Sequence, residues 1–482
     1  MNKSLVVSYL RWRACLSAGA AAASLLVVSG CATFSQDGGF DTVAKVARER
    51  LGKDAKPIRS AADADAVRAA VDALLAKPLS VDDAVQIAVL SNRGLQANYG
   101  ELVIAEADLV QAGRLHNPGF NFKRTRQGDD VIIERTFTVN LIRLLTLPLA
   151  TRIERRRFDQ VKLEVADAVL RVAAETRRAW FEAVAAEQGV AYAKQVGLAA
   201  EAGSDLARRM GAAGNFSKLD QAREEVFEAE AVAGIARAAG IAVRTREQLT
   251  RMMGLVGEQT RFTLPERLPD LPSTPLAIDH AESYALQNRL DIQAGKLRGA
   301  SLASSLGLSK ATRFINVFDL SRDNNSRTGS PPERGYEIRV DIPIFDWGTA
   351  RVARAEAIYM QAMNRLAETA VNARSEVRQS YLGYRTAYDL ARHYRDNVVP
   401  LRKRISDENQ LRYNGMLISV FELLADAREQ VRSVSGYIDA LRDFWIAETD
   451  LSAALGGKLP DGVNSDSNMV PATPMRAPAK GN

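Results

Sequence analysis

Tyr336-Glu-Ile-Arg-Val-Asp-Ile-Pro-Ile344 alternates apolar and polar residues along its whole length. Tyr336, Ile338, Val340, Ile342 and Ile344 fall on one face of an extended strand, and Glu337, Arg339, Asp341 and Pro343 on the other. The reason is that successive side chains of a strand point to opposite sides. Such a strand separates two media. In a soluble sandwich the charged face would meet outside water; in a membrane barrel it would line a lumen, with the apolar face toward lipid.

Working outward, Arg313 to Leu320 reads as a weaker strand, and Asp323 to Arg334 as a long polar loop between the two. The first half of the chain repeats the arrangement. Gly119 to Lys123 is extended, a loop passes through Gln127 to Asp130, and a second strand runs from Thr136 to Leu147. Four strands cannot close a barrel. An open edge in lipid leaves backbone groups unpaired at several kcal/mol each, and small closed barrels need about eight strands or more. If these strands span a membrane, several chains must share one barrel, and a trimer would supply twelve strands.

Long helices dominate the rest. No proline interrupts the helical pattern from Arg152 to Arg209, and only Pro400 does so from Thr349 to Arg412. At 1.5 Å per residue, about 60 residues make a rod of roughly 90 Å. Tyr381, Tyr384, Tyr388, Ala391, Tyr394 and Val398 recur at spacings of three and four, the seam of a coiled coil. Both rods turn back at a glycine, Gly214 and Gly415, into second helices near Ser217–Met253 and Ser419–Leu455. Each pair makes an antiparallel hairpin, and the glycines are expected to take the left-handed conformation that reverses the chain.

The halves also echo each other in detail. Val89-Leu-Ser-Asn-Arg-Gly-Leu-Gln-Ala97 is answered by Ala285-Leu-Gln-Asn-Arg-Leu-Asp-Ile-Gln-Ala294. A period of roughly 200 residues is too long for a solenoid unit and marks a duplicated and fused domain. The expected layout is a lead-in at 31–78, one repeat at 79–256, a linker at 257–275, a second repeat at 276–456 and a disordered tail at 457–482.

Residues 1–30 read as a signal peptide, with Lys3, Arg11 and Arg13 ahead of a short apolar run. It ends in Val28-Ser-Gly-Cys31, which resembles a bacterial lipobox and marks Cys31 for lipidation. Ala32 stands where an aspartate would favour the inner membrane, so the outer membrane is expected. Cys15 lies within the signal, leaving the mature chain no disulfide and no thiolate metal site. His116, His280 and His393 are scattered singly, and no phosphate loop, catalytic triad or zinc spacing occurs. Neither enzyme chemistry nor a cofactor is expected. The 64 basic and 58 acidic residues are interspersed, the pattern of solvated helix faces rather than a nucleic-acid groove.

Leu79-Ser-Val-Asp-Asp-Ala-Val-Gln-Ile-Ala88 through Asn92, followed by Ala105 to Pro118, resembles the N-terminal signature of the TolC-like outer-membrane efflux proteins. Val340-Asp-Ile-Pro-Ile-Phe-Asp-Trp-Gly348 is similar to the family's strand-to-helix junction, and Tyr413-Asn-Gly415 with Glu422-Leu-Leu424 to its helix tip. With the lipobox, the resemblance is to the lipoprotein branch. It implies a mainly α fold with a small β part: a homotrimer with a 12-stranded β-barrel in the outer membrane, continued by a coiled-coil α-barrel in the periplasm. The implied activity is that of a passive exit duct for small solutes, drugs or metal ions, working with a periplasmic adaptor and an inner-membrane pump. A type I protein-secretion duct shares the fold, and a non-conducting, lipid-anchored coiled-coil scaffold is the rival of a different class.

The resemblance assigns adaptor contact to the tips, at Gly214, Ser217, Gly415 and Ser419, and aperture gating to acids just beyond them. Asp220 lies six residues after Gly214. In the second half six residues after Gly415 is Phe421, so Glu422 and Asp426 become the candidates out of register. A second departure is the first junction, Leu147-Pro-Leu-Ala-Thr-Arg152, which lacks a glycine equivalent to Gly348. Tyr336 and Trp347 are candidates for interfacial aromatic belts.

Overall fold

The computed structural model describes residues 33–315 and 317–459. The signal segment and Cys31 lie outside the described residues, as does the tail from residue 460. The first helices are α1 (Phe40–Val46), α2 (Ala61–Leu75), α3 (Val81–Ser91) and α4 (Arg93–Ala112). Strands β1 (Gly119–Gln127) and β2 (Asp130–Asn140) follow, then α5 (Leu141–Ala212) and α6 (Lys218–Met253). The second half runs through α7 (Ala281–Asn288), α8 (Leu290–Ala311), β3 (Phe318–Arg327), β4 (Glu333–Val340), α9 (Thr349–His393), α10 (Val399–Asn414) and α11 (Val420–Ala454). The fold is mainly α with one small sheet, and the element order of the first half recurs in the second.

The echoed asparagines mark equivalent helix breaks. Asn92, in extended conformation, separates α3 from α4; its side chain accepts from the Leu95 N–H at 2.9 Å and donates to the Met252 carbonyl at 2.8 Å. Between α7 and α8 the extended residue is Arg289, directly after Asn288. Both breaks are therefore built, but only the first is capped by its own asparagine.

Compact packing divides the chain into two units, each drawn from both halves of the sequence. One comprises residues up to Val43, Asn98–Val165 and Leu290–Thr369, and it holds the sheet. All neighbours are antiparallel in the order β1-β2-β3-β4. The strands reach further into the polar segments than hydrophobic patterning suggests. Most of the expected loop from Asp323 to Arg334 is strand, with only 328–332 left to turn, while residues 313–317 precede β3. The reason lies in the polar face: Thr136 donates to Asp323 at 2.6 Å, Thr138 bonds Ser321 at 2.9 Å and Asn140 donates to Asp319 at 2.8 Å. These cross-strand pairs stabilise a strand that carries no hydrophobic signal on that side.

The two junctions differ. The expected strand from Thr136 to Leu147 ends at Asn140, whose side chain accepts from the Arg143 N–H at 2.9 Å and starts α5 directly. Pro148 sits inside that helix. The expected strand from Tyr336 to Ile344 stops at Val340, because Pro343 has no N–H to offer a ladder. The chain then crosses 341–348 and turns at Gly348, where φ is +69° and an added Cβ would lie 2.6 Å from the Arg313 carbonyl oxygen. Only the second junction needs that glycine. Trp347 is 55% exposed, edge-on to Phe314 at 6.2 Å.

The second unit comprises Ala44–Ala97, Ala166–Arg289 and the chain from Ala370 on. Its core gathers Trp180, Tyr384, Tyr388, Phe444, Leu249 and Leu451, all nearly inaccessible. Here the linker 257–275 is a strap rather than a tether. Phe262, Leu264, Leu268 and Leu271 are buried in the core, and polar tips of core aromatics bond its backbone and that of Leu276 just after it. Trp445 Nε1 donates to the Pro269 carbonyl at 3.1 Å and Tyr388 Oη to the Ser273 carbonyl at 2.8 Å, while Tyr384 Oη accepts from the Leu276 N–H at 2.9 Å. Such bonds offset the cost of burying a phenol or indole polar atom. A wide-turn segment, Tyr394–Val398, precedes Pro400 and absorbs its missing N–H.

Glu448 is half-buried in this unit, and desolvation pushes its carboxyl up to about 7, with Arg177 acting in the opposite direction. The folded chain therefore holds a proton that the unfolded chain releases above its ordinary carboxylate range. Stability contributed by this group falls as pH rises from about 4.5 to 7. Replacing Glu448 with Gln should remove that dependence and raise stability at pH 8 by about 1–3 kcal/mol. Thermal unfolding of both proteins in detergent at pH 5 and pH 8 measures it.

Candidate functional site

The two helical hairpins turn by the same local chemistry. At the first tip Gly214 takes a left-handed conformation, φ +77°, and the Asn215 N–H bonds the Met210 carbonyl at 2.9 Å. Ser217 then caps α6: its Oγ accepts from the Asp220 N–H at 3.1 Å and donates to Asp220 Oδ2 at 2.6 Å. At the second tip the left-handed residue is Met416, φ +58°, and not Gly415, whose φ is −82°. The Leu417 N–H bonds the Arg412 carbonyl at 2.8 Å, and Ser419 caps α11 by accepting from the Glu422 N–H at 3.4 Å. Both reversals are closed by backbone bonds of the Schellman type.

This geometry corrects the register of the second half. Gly214, Ser217, Asp220 and Glu224 correspond to Met416, Ser419, Glu422 and Asp426. Counting from Gly415 gave Phe421; counting from the residue that makes the turn gives Glu422. The left-handed backbone conformation that reverses the chain is taken by methionine there, at a strain that glycine avoids.

The acids beyond the tips divide by depth. Asp220, half-buried, is tied into the cap and pairs with Arg223 at 3.1 Å. Glu422 is exposed and also occupies a capping position. One turn further, Glu224 and Asp426 are both buried, at 2% and 8% exposure. Glu224 is answered across the hairpins by Arg428 at 2.7 Å, and that guanidinium stacks over Phe227 at 4.5 Å. Asp426 Oδ2 has no hydrogen-bond partner among the described residues, nor do Ser204 Oγ and Arg428 Nε. An added Cβ at Gly203 would lie 3.5 Å from Leu424 and 3.8 Å from Glu224, so α5, α6 and α11 meet closely here. Patterning alone missed Glu224, Arg428 and Ser204. The only signal was the recurrence of Ala-Arg-Glu, at Ala222–Glu224 and Ala427–Glu429, on the second arm of each hairpin.

The tips also carry exposed apolar side chains: Leu219 at 63%, Met416 at 93% and Leu417 at 77%. Gly214, Ser217, Gly415 and Ser419 are all exposed beside them. The histidines take no part: His116 lies 2.9 Å from Arg143, and His280 opens α7 in a left-handed conformation. Among the described residues no group of side chains could hold a metal ion, and no helix is long and apolar enough to cross a membrane.

Residues 282–457 match the model of the family described as outer membrane efflux protein. The fold is similar to that of a membrane protein from Pseudomonas aeruginosa, with a TM-score of 0.68 at 20% identity over 78% of this chain and 92% of that one. It is similar to the CmeC outer membrane channel of Campylobacter jejuni, with a TM-score of 0.66 at 16% identity over 80% and 87%. The MtrE outer membrane channel of Neisseria gonorrhoeae in its open state gives 0.66 at 17% over 78% and 88%. Among curated proteins no sequence matches the chain.

Proposed function

We propose that this chain, whose residues 282–457 match the outer membrane efflux protein family and whose fold is similar to that of outer membrane channels, is a member of that family and the outer-membrane exit duct of a tripartite efflux system. The observation that carries the reading is the sheet. One face holds Phe120, Phe137, Leu320, Tyr336, Ile338 and Val340, each at least 40% exposed, while the opposite face is a hydrogen-bonded polar surface. Its outer strands, β1 and β4, each have one neighbour within the chain. Lipid tolerates neither free edge. Three copies, joined β4 to β1, give twelve strands and a closed barrel with a wet lumen. In detergent the full-length protein is expected at the mass of three chains; a stable single chain would overturn the closure.

Cys31 carries the lipid that tethers the mature N-terminus to the outer membrane, and the helical hairpins extend into the periplasm. Their tips, with Gly214, Ser217, Gly415 and Ser419 framing exposed Leu219, Met416 and Leu417, are suited to the apolar face of an adaptor's helical hairpin. The adaptor links the duct to an energised inner-membrane pump, and the duct itself is passive. The lipobox favours small solutes or metal ions over secreted protein as cargo.

Gating belongs to Asp220, Glu422 and Asp426. Related by the internal repeat and tripled by the trimer, carboxylates at the first two positions form a ring near the axis. Like charges gathered there repel unless screened, and they favour cations. Neutralising Asp220 and Glu422 to Asn and Gln should lower cation selectivity severalfold in single-channel recordings. Unchanged reversal potentials would remove both from the gate. Asp426, buried with an unsatisfied oxygen, acts as a latch at the helix contact: Asp426→Asn should change open probability more than selectivity.

A further inference from the structure

The arginines of the sheet are sorted with unusual consistency. On all four strands the face that carries the exposed aromatics changes from apolar to arginine in the same direction. Along β1 Phe120 and Phe122 give way to Arg124 and Arg126; on β2 Val139 and Phe137 give way to Arg135, beyond which Ile133 and Val131 lie on the same face. On β3 Phe318 and Leu320 precede Arg322, and on β4 Val340, Ile338 and Tyr336 precede Arg334. The register fixes these residues on one face: Phe120 opposes Phe137 with ring centroids 4.7 Å apart, and Arg322 stands between Phe137 and Tyr336. In every strand the arginine lies toward the hairpin turns at Gly128 and Gly329, away from the helices.

No acid shares this face. Asp130, Glu134, Asp319, Asp323, Glu333 and Glu337 all fall on the polar side, where Glu134 pairs with Lys123 and Asp130 with Arg327. Among the described residues Arg124, Arg126, Arg135, Arg322 and Arg334 enter no ion pair; all but the half-buried Arg135 are exposed. Five guanidinium groups on an otherwise apolar, acid-free face, from Arg322 level with Phe137 and Tyr336 to Arg126 beside the first hairpin turn, need an anionic neighbour. Long stems can cross the last of the hydrocarbon while the planar heads sit at headgroup level, where each can grip a phosphate through two parallel hydrogen bonds.

We infer that this arginine belt binds the phosphorylated headgroups of the outer-leaflet glycolipid. The inference rests on the membrane-duct reading above, which places the hairpin turns outside the cell. Charge complementarity and the apolar side chains that share the face commit it to a lipid phosphate at the membrane surface rather than to a soluble anion.

The test uses the full-length protein in mixed micelles with bisphosphorylated lipid A, and in parallel with the same lipid stripped of its phosphates. Native mass spectrometry counts the lipids retained per assembly. The wild-type protein should retain the phosphorylated lipid roughly tenfold better, and the triple variant Arg124→Gln, Arg322→Gln, Arg334→Gln should lose that preference. Single-channel conductance of the triple variant should match the wild type, which shows that the barrel still forms. Equal retention of the two lipids, or full retention by the triple variant, overturns the belt while leaving the duct intact. Absence of conductance in both proteins overturns the duct reading itself, and the belt with it.

Discussion

Replacing Arg428 with alanine should destabilise the hairpin contact by about 3–5 kcal/mol and raise the resting conductance of the channel. Glu224 is 2% exposed and its charge is answered by Arg428 at 2.7 Å. Removing one partner of a buried pair leaves an uncompensated charge, which costs far more than the pair itself contributes. The guanidinium also covers Phe227, so packing is lost with the charge. Because α6 and α11 belong to different halves of the chain, this single contact couples the two hairpins just inside their tips. Hydrogen exchange should therefore accelerate along both helices near Glu224 and Arg428. Changing both partners, Glu224→Gln with Arg428→Met, should restore most of the stability, since the buried charge is then gone. If the single and double substitutions cost the same, the contact is not what holds the hairpins together.

Trp180→Ala should be the most damaging core substitution, at about 3–5 kcal/mol. The indole is 2% exposed and edge-on to Phe181 at 5.1 Å. Its Nε1 donates to the Leu79 carbonyl at 2.9 Å, and the Leu79 N–H in turn donates to the Thr263 carbonyl at 2.9 Å. Truncation empties a large volume and also breaks the first link of the chain that seats the linker. Trp180→Phe keeps most of the volume but orphans the Leu79 carbonyl, so it should cost clearly less, on the order of 1–3 kcal/mol. Thermal unfolding in detergent distinguishes the two, and equal losses would show that the hydrogen bond outweighs the cavity.

Much of this architecture was legible in the sequence because long helices announce themselves. The hairpin arms at Lys218–Met253 and Val420–Ala454 were readable within a residue or two because each resumes a helical pattern just after a glycine and a serine. The strands were located less well, for a physical reason. A strand with one face toward water inside a lumen carries polar residues such as Asp323, Asn325 and Arg327 at regular intervals, and these look like a loop until their partners across the sheet are known. The turn at Met416 was misplaced for a related reason: glycine is the usual bearer of a left-handed conformation, and Gly415 stood next to it. The buried pair Glu224–Arg428 depends on contacts between residues 204 positions apart, which no local pattern discloses. Asp220, in contrast, follows from its distance of six residues after Gly214, and Glu422 was reached only out of register because the count began at Gly415.

The junctions carry the clearest difference between the halves. The first strand passes straight into a helix at Asn140, whereas the second crosses eight residues to Gly348. In a closed assembly this alternation makes the base of the barrel three-fold, although the helix tips are locally near six-fold. Exposed Ile342, Ile344 and Phe345 lie in that second crossing, where the first junction offers exposed Leu144 and Leu145 on the opening turns of α5.

The central claim is that copies of this two-faced sheet close around water inside a membrane. Planar-bilayer recording of the purified full-length protein tests it most directly. Discrete, uniform conductance steps that scale with the number of inserted assemblies are the predicted result. Protein that inserts into the bilayer at the same density without any step in current would contradict it, and would leave the helices as a lipid-tethered scaffold with no duct.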